Sequence, residues 1–581
     1  MTKCLVSIVA AGFCALLVGH AAETKQTTTN FKRELIPALV QSVPSLLKTQ
    51  NSKTGRFGSG IPVAADQMPI YPLAAAWAIK DPANRYYHDQ KLLQAIIRAG
   101  NLLADTQDKT GQWEFRKKDN SFWGMHYNPW IYSRWIRSFS LIRDAMPAKD
   151  RARWEKALTL GFSGIARREL TRPVNIPAHQ AMGLYIAGQA LNHPEWCTQA
   201  SDFLLKVAQA QDTNGFWSEH YGPVVTYNLV YVDALGVYYA LSHDDRVLKA
   251  LESAAKFHAN FVYSDGSNIE TIDERVPYSE TGHLAGLGFS FSPTGRAYLL
   301  EQWQRTKDDR TLPIADFLAS MLLYGQEGAV GSYPAHGGDS VFVTDDGRAS
   351  VLRQGSWCAA LSAYVCPLSG SRWIQDRQNF ISLFHEKTGL ILGGGNTKLQ
   401  PLWSTFTVGD TSLLRHKTGD KNPKFSEPIG LLHIPSAATL EADTNLLTFQ
   451  YGSVDCSVRL NLLEKNKARL IYTATPSRTT QPVAAHVTFL PAIEKQWQTA
   501  SGQTGSLTKP FELTAAKAGA WFEHNGWRVQ LPEGSRLSWP ALRHNPYRDD
   551  GRSDLGDGRI VLTLPFSENT TTRDVDVEVL K

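Results

Sequence analysis

The sequence predicts an α+β multidomain protein, with an N-terminal (α/α) toroid of helical hairpins followed by a C-terminal antiparallel β-sandwich. Three observations carry this expectation. A polar–Gly–x–aromatic turn recurs through the first half at a spacing of roughly fifty residues, the length of one helical hairpin. The segments between the turns have helical apolar period. Near residue 330 that period gives way to short β-rich runs. With 581 residues the chain exceeds what a single core serves, so at least two domains are expected.

The first 22 residues read as an export signal. Lys3 supplies the positive start, Leu5 to Val18 the apolar run, and Ala21-Ala22 the small residues for cleavage. The run is too short for a stable membrane span. Export places the protein outside the cell or in the periplasm. Loss of Cys4 and Cys14 leaves Cys197, Cys358, Cys366 and Cys456. In that compartment a Cys358–Cys366 bridge and buried free thiols are both open.

The toroid is expected over residues 23–330. Its turns are Thr54-Gly55-Arg56-Phe57, Thr110-Gly111-Gln112-Trp113 and Asn214-Gly215-Phe216-Trp217, with a degenerate Asp265-Gly266-Ser267-Asn268. The glycines stand 56, 104 and 51 residues apart, so the long interval reads as two units with a blurred copy near Gly164. Between turns, Leu92, Leu93, Ile96, Ile97, Leu102 and Leu103 mark one helix face. Similar patterns run through Phe203 to Ala210, Leu229 to Leu241, Val247 to Phe261 and Ile314 to Tyr324.

The sandwich is expected over residues 331–581. Its strand-like runs include Ser340 to Val343, Leu446 to Tyr451 and Val454 to Leu463, separated by turn formers such as Asp345-Asp346-Gly347 and Gly393-Gly394-Gly395. The net charge of +5 is spread without basic runs, which argues against nucleic acid as partner and suits an acidic polymer. No CxxC pair or HExxH occurs, so neither a metal nor another cofactor is expected.

Four segments carry candidate chemistry. In Asn175-Ile176-Pro177-Ala178-His179, Asn175 is either a helix cap or an amide that, with His179, neutralises a carboxylate. The turn from Asn214 to Pro223 holds Trp217, Glu219 and His220, and leads to Tyr227 and Tyr231, four apart on one helix face. The loop Asp273-Glu274-Arg275-Val276-Pro277-Tyr278, with His283 beyond it, is either a carboxylate-binding site through Arg275 and Tyr278 or a solvated ion-pair cluster. His336, beside two glycines at the domain junction, is placed to reach a cleft between domains.

Together these features resemble the heparinase II/III-like and alginate lyase-like polysaccharide lyases. The stretch NGFWSEHYGPVVTY (Asn214 to Tyr227) looks like that family's Asp-Gly-aromatic-x-Glu segment leading to a catalytic tyrosine. The Asn175/His179 segment looks like its carboxylate-neutralising segment. The resemblance implies β-elimination on a uronic-acid-containing polysaccharide. Asn175 and a His or Arg275 neutralise the carboxylate, Tyr227 serves as acid or as both acid and base, and His179 or His336 is its partner. The implied partner is an anionic polysaccharide or oligosaccharide, with no membrane contact after signal cleavage.

Other readings remain open on the same residues. A glycoside hydrolase on an (α/α) toroid would use Glu219 as its acid, with Asp212 or Asp273 as the second carboxylate. A uronate epimerase would share the proton-abstraction groups. A non-catalytic glycan-binding protein would keep only the scaffold.

Overall fold

The computed structural model describes residues 30–58, 63–117, 119–279, 284–417, 419–420, 423–426 and 428–580. The export signal expected over 1–22, and His283, lie outside the described residues. The first half is helical: α1 (Phe31–Lys48), α2 (Val63–Asp66), α3 (Ile70–Ala78), α4 (Gln90–Thr106), α5 (Pro129–Ile142), α6 (Ala148–Arg168), α7 (Asn175–Ala190), α8 (Pro194–Gln209), α9 (Val225–Ser242), α10 (Leu248–Asn260), α11 (Pro293–Thr306) and α12 (Leu312–Tyr324). No described helix is long and apolar enough to cross a membrane.

The helices form two concentric layers. In α4, Leu92, Leu93, Ile96, Ile97 and Leu103 are buried while Lys91 and Gln94 face water, the pattern of an outer helix. In α7 nearly every side chain is buried, and Ala181, Gly183, Ala187 and Gly188 leave room for neighbours on several sides, the pattern of an inner one. α3, α5, α7 and α9 pack in that order inside, and α12 closes the ring against α1 and α3. Between α10 and α11 the inner position is held by the short helical turn Leu287–Phe291 and by the irregular stretch before it. Pro277 and the capped loop around Asp273 exclude a helix there.

Each Gly-aromatic turn joins an outer helix to the next inner one. Gly55, Gly111, Gly215 and Gly266 have φ of 77°, 90°, 90° and 79°, where a side chain is strained. A Cβ on Gly215 would stand 2.3 Å from the Ser253 carbonyl oxygen of α10. Gly215→Ala is therefore expected to lower unfolding free energy by about 1–3 kcal/mol, measured by denaturant titration. Three turns share a preceding glutamine that sequence reading passed over. Nε2 of Gln50, Gln107 and Gln211 donates to backbone carbonyls of the adjacent outer helix, at Ala95, Ala157 and Ala250. The expected copy near Gly164 is corrected. Gly164 lies within α6 against the Tyr127 ring, and the turn of that hairpin is the glycine-free stretch 169–174.

α12 ends at Tyr324 and the first sandwich strand begins at Ser340, so the division proposed at 330/331 falls between them. The sandwich consists of a nine-stranded and an eleven-stranded antiparallel sheet. Its larger sheet closes over the turn end of the toroid. There Phe216, Phe257, Phe261 and Tyr263 bury against Val351, Cys358, Ala360 and Phe384, and Tyr263 stacks on Phe384 at 4.9 Å. Gly393, Gly394 and Gly395 are not a simple turn. Their positive φ lets the sandwich backbone reach the toroid loop, where the Gly394 amide donates to Glu270 at 2.8 Å. Cys197, Cys358, Cys366 and Cys456 are free thiols, and burial pushes Cys358 and Cys366 up to about 11.

Candidate active site

Trp130 of α5, His179 of α7, Thr226 of α9 and Pro313 of α12 line one cavity, so these inner helices bring their N-termini, and partial positive charge, to one rim of the toroid. α7 brings Asn175 there as its first residue, and α9 brings Tyr227 and Tyr231 on one face. The small loop from Ser218 to Pro223, pinched by an isolated bridge between those residues, brings Glu219 and His220. The loop before Pro277 brings Arg275.

These groups meet around one carboxylate. Asn175 Nδ2 donates to Glu219 Oε1 at 3.0 Å, and the Tyr231 hydroxyl donates to the same oxygen at 3.1 Å. Burial raises the Glu219 carboxyl, opposed by the Tyr231 hydrogen bond and by Arg275 and His220. Tyr231 itself is sealed: it stacks on Trp217 at 4.9 Å, and burial beside Glu219 pushes its hydroxyl far up. Trp217 is buried behind it, its indole N–H donating to Val207. Tyr227 is half-buried. The Arg275 guanidinium lies 4.8 Å from its ring centroid and opposes the rise that burial imposes.

The charged loop at 273–275 is buried, not solvated. Asp273 Oδ2 accepts from the Val225 amide at 2.8 Å and so caps α9 from 48 residues away. Its other oxygen accepts from the amides of Arg275 and Val276. Burial lifts its carboxyl to about 6 despite those amides. Glu274, fully buried, accepts from His220 Nδ1 at 2.8 Å and from the Tyr221 amide at 3.2 Å. That hydrogen bond places the His220 proton on Nδ1 and leaves Nε2 as an acceptor on a side chain 35% exposed. Arg377, from the sandwich, stands 3.9 Å from Glu274 and donates to the carbonyls of Ile272 and Pro223.

His179 lies one turn below Asn175, in the wall of a cavity of about 430 Å³ that also involves Trp130, Arg134, Thr226 and Asp233. Its Nδ1 has no partner among the described residues, and burial holds the ring neutral, well below the usual histidine range. Arg137, one turn further along α5 than Arg134, is buried and stacks on Tyr71 at 3.9 Å. Two expected site residues are not brought to the group. His336 is exposed on the outer wall, 3.4 Å from the Ser264 carbonyl and 3.9 Å from Glu301. Tyr278 packs against the fourth turn, near Tyr263 and Ser267. Sequence reading missed the His220–Glu274 pair and two sandwich residues, Arg377 and Tyr547. Arg275 donates a hydrogen bond to the Tyr547 hydroxyl.

No family model and no curated protein matches the sequence. Among solved structures, the chain is similar to heparinase III at 13% identity and a TM-score of 0.52, covering 96% of this chain and 86% of that one. It is similar to the heparan sulfate lyase HepC from Pedobacter heparinus at 12% identity, TM-score 0.43, with 96% and 83% covered. It is also similar to a GH127 β-arabinofuranosidase at 10% identity, TM-score 0.36, with 96% of each covered. The chain has the heparinase III fold, a helical domain followed by antiparallel sheets.

Proposed function

We propose that the protein is a secreted or periplasmic lyase that cleaves a uronic-acid-containing polysaccharide by β-elimination. The observation that carries the reading is the convergence, on one rim, of an amide (Asn175), a guanidinium (Arg275), a half-buried phenol (Tyr227) and a histidine oriented by a buried carboxylate (His220 on Glu274). Removal of the proton at C5 of a uronate requires the adjacent carboxylate to be neutralised, and Asn175 and Arg275 supply a donor and a cation for it. His220 Nε2 then accepts the C5 proton, while the Tyr227 hydroxyl gives its proton to the departing O4 oxygen. The C5–H pair becomes the C4–C5 double bond as the C4–O4 bond breaks. His179, neutral and one turn deeper, lines the cavity beneath this centre. His336 has no role in the scheme.

The raised carboxyl of Glu219 is the one feature that favours a hydrolase. A hydrolase also requires a second carboxylate across the bond. Asp273 is committed to three backbone amides, and Asp212 accepts from the amide and side chain of Asn214 within its own turn. Incubation with alginate, glucuronan, heparan, chondroitin and ulvan tests the proposal. Ultraviolet absorbance of an unsaturated uronate is expected from at least one. New reducing ends without that absorbance would overturn the lyase reading.

A further inference from the structure

The toroid carries one element that belongs to no helical hairpin. After the second turn, β1 (Trp113–Arg116) and β2 (Phe122–His126) form an antiparallel hairpin. An isolated two-stranded hairpin is marginal in water. This one is held from outside: Asp119, at its bend, pairs with the sandwich residue Arg372 at 3.1 Å, with both side chains largely buried. The hairpin therefore bridges the two domains, yet Trp123 on it remains 44% exposed and Phe122 59% exposed. Trp123 stacks on His126 at 4.6 Å and meets Phe115 edge-on at 5.2 Å within the hairpin, contacts that leave the indole largely in water.

A series of contacts links Trp123 to the candidate active site. Lys117 Nζ lies 5.5 Å from the Trp123 ring and also 5.5 Å from the ring of Trp373 on the sandwich. Trp373 packs 5.6 Å from Tyr547. Tyr547 takes a hydrogen bond from Arg275, and Arg275 lies over Tyr227. From Tyr227 outward the order is ring, cation, ring, ring, cation, ring, crossing from toroid to sandwich and back to the hairpin.

We propose that this ladder is an extended binding track for an acidic glycan, continuous with the cleavage site and ending on Trp123. Sugar rings present apolar faces that stack on indole and phenol rings. A carboxylate or sulfate on alternate sugars meets the cations set between those rings. A neutral glycan would use the rings alone, and a non-glycan polyanion the cations alone, so the alternation selects a polymer that carries both features. The track rests on the proposed lyase reading for its substrate class, and its test is chosen to separate the two.

Trp123→Ala and Lys117→Gln remove a ring and a cation at the far end without touching the groups that move protons. For a long acidic polysaccharide, Trp123→Ala is expected to raise KM roughly tenfold with kcat unchanged, the upper range for loss of one ring-stacking contact. A short oligosaccharide that fills only the cleavage site is expected to react as with the wild type. Trp123→Phe is expected to recover most of the loss, which also controls for folding. Lys117→Gln is expected to flatten the dependence of KM on salt. Equal effects on long and short substrates, no effect on either, or no recovery with Phe would overturn the track. If the wild type cleaves no polymer, the lyase reading fails alone. Retardation in gels containing acidic or neutral polysaccharide then tests the track: Trp123→Ala must lose retardation by the acidic polymer, and unchanged retardation rejects it.

Discussion

Replacing Tyr227 by Phe is expected to lower kcat on the cleaved polysaccharide by about 10²- to 10⁴-fold, the range of general acid–base catalysis, with little change in polymer affinity. The change removes one oxygen from a half-buried ring and leaves its packing intact. Arg275 still lies over the ring face, so the carboxylate-binding side of the site persists. The contrast with Tyr231 sharpens the test. The Tyr231 hydroxyl is spent on Glu219 and sealed by Trp217, so it has no open path to a substrate oxygen. Tyr231→Phe loosens Glu219 and through it Asn175, and is expected to cost less than Tyr227→Phe in kcat. Steady-state kinetics on both variants, with binding measured separately by calorimetry, checks the order. Equal losses would move the acid from Tyr227 to the Glu219 network.

Arg377→Ala is expected to destabilise the protein by about 3–5 kcal/mol, the cost of removing one partner from a buried charge pair. The guanidinium is 1% exposed and bonds two carbonyls of the other domain while facing Glu274. Its loss leaves Glu274 buried without the guanidinium that faces it, and leaves the Ile272 and Pro223 carbonyls without their donor. The small loop bearing Glu219 and His220 leans on the same guanidinium, since Gly222 approaches it so closely that a Cβ there would stand 2.9 Å from Nη2. The variant is therefore expected to lose activity at temperatures where it is still folded. Arg377→Lys is not expected to rescue it, because an ammonium cannot span both carbonyls and the carboxylate. Denaturant midpoints, read alongside activity at low temperature, check both statements.

How much of this was legible in the sequence follows from the range of the interactions. The turns were legible because a glycine at positive φ is a local demand, repeated at Gly55, Gly111, Gly215 and Gly266. The change to a sandwich was legible because the side-chain period itself changes. The glutamines before the turns carry the same repeat but stabilise it by reaching across to a later helix, so their role appears only once the helices are packed. Gly164 was misread because a small residue inside a helix, admitting the Tyr127 ring, looks in sequence like a turn former. The hairpin at 113–126 was overlooked because its strands alternate weakly and are held by Arg372, far along the chain.

The candidate site divides in the same way. Asn175, Glu219, Tyr227 and Arg275 stood out because each sits in a short segment dense in polar and aromatic groups. His220 stood out with them as a polar residue of the turn, but its orientation did not, because Glu274, which accepts from its Nδ1, lies 54 positions later. His336 stood out for its neighbours in sequence, yet the junction turns it towards the outer wall. Tyr547 and Arg377 come from the sandwich and had no local signal at all.

The central claim is that the chain breaks a glycosidic bond by elimination. It is tested most directly by running the reaction in heavy-oxygen water and weighing the products. The account predicts fragments that carry no solvent oxygen at the new ends. Each new non-reducing end should be one water lighter than its hydrolysis product and absorb in the ultraviolet. Fragments that take up one heavy oxygen at the new reducing end, with no absorbance, would contradict it and make Glu219 the acid of a hydrolase.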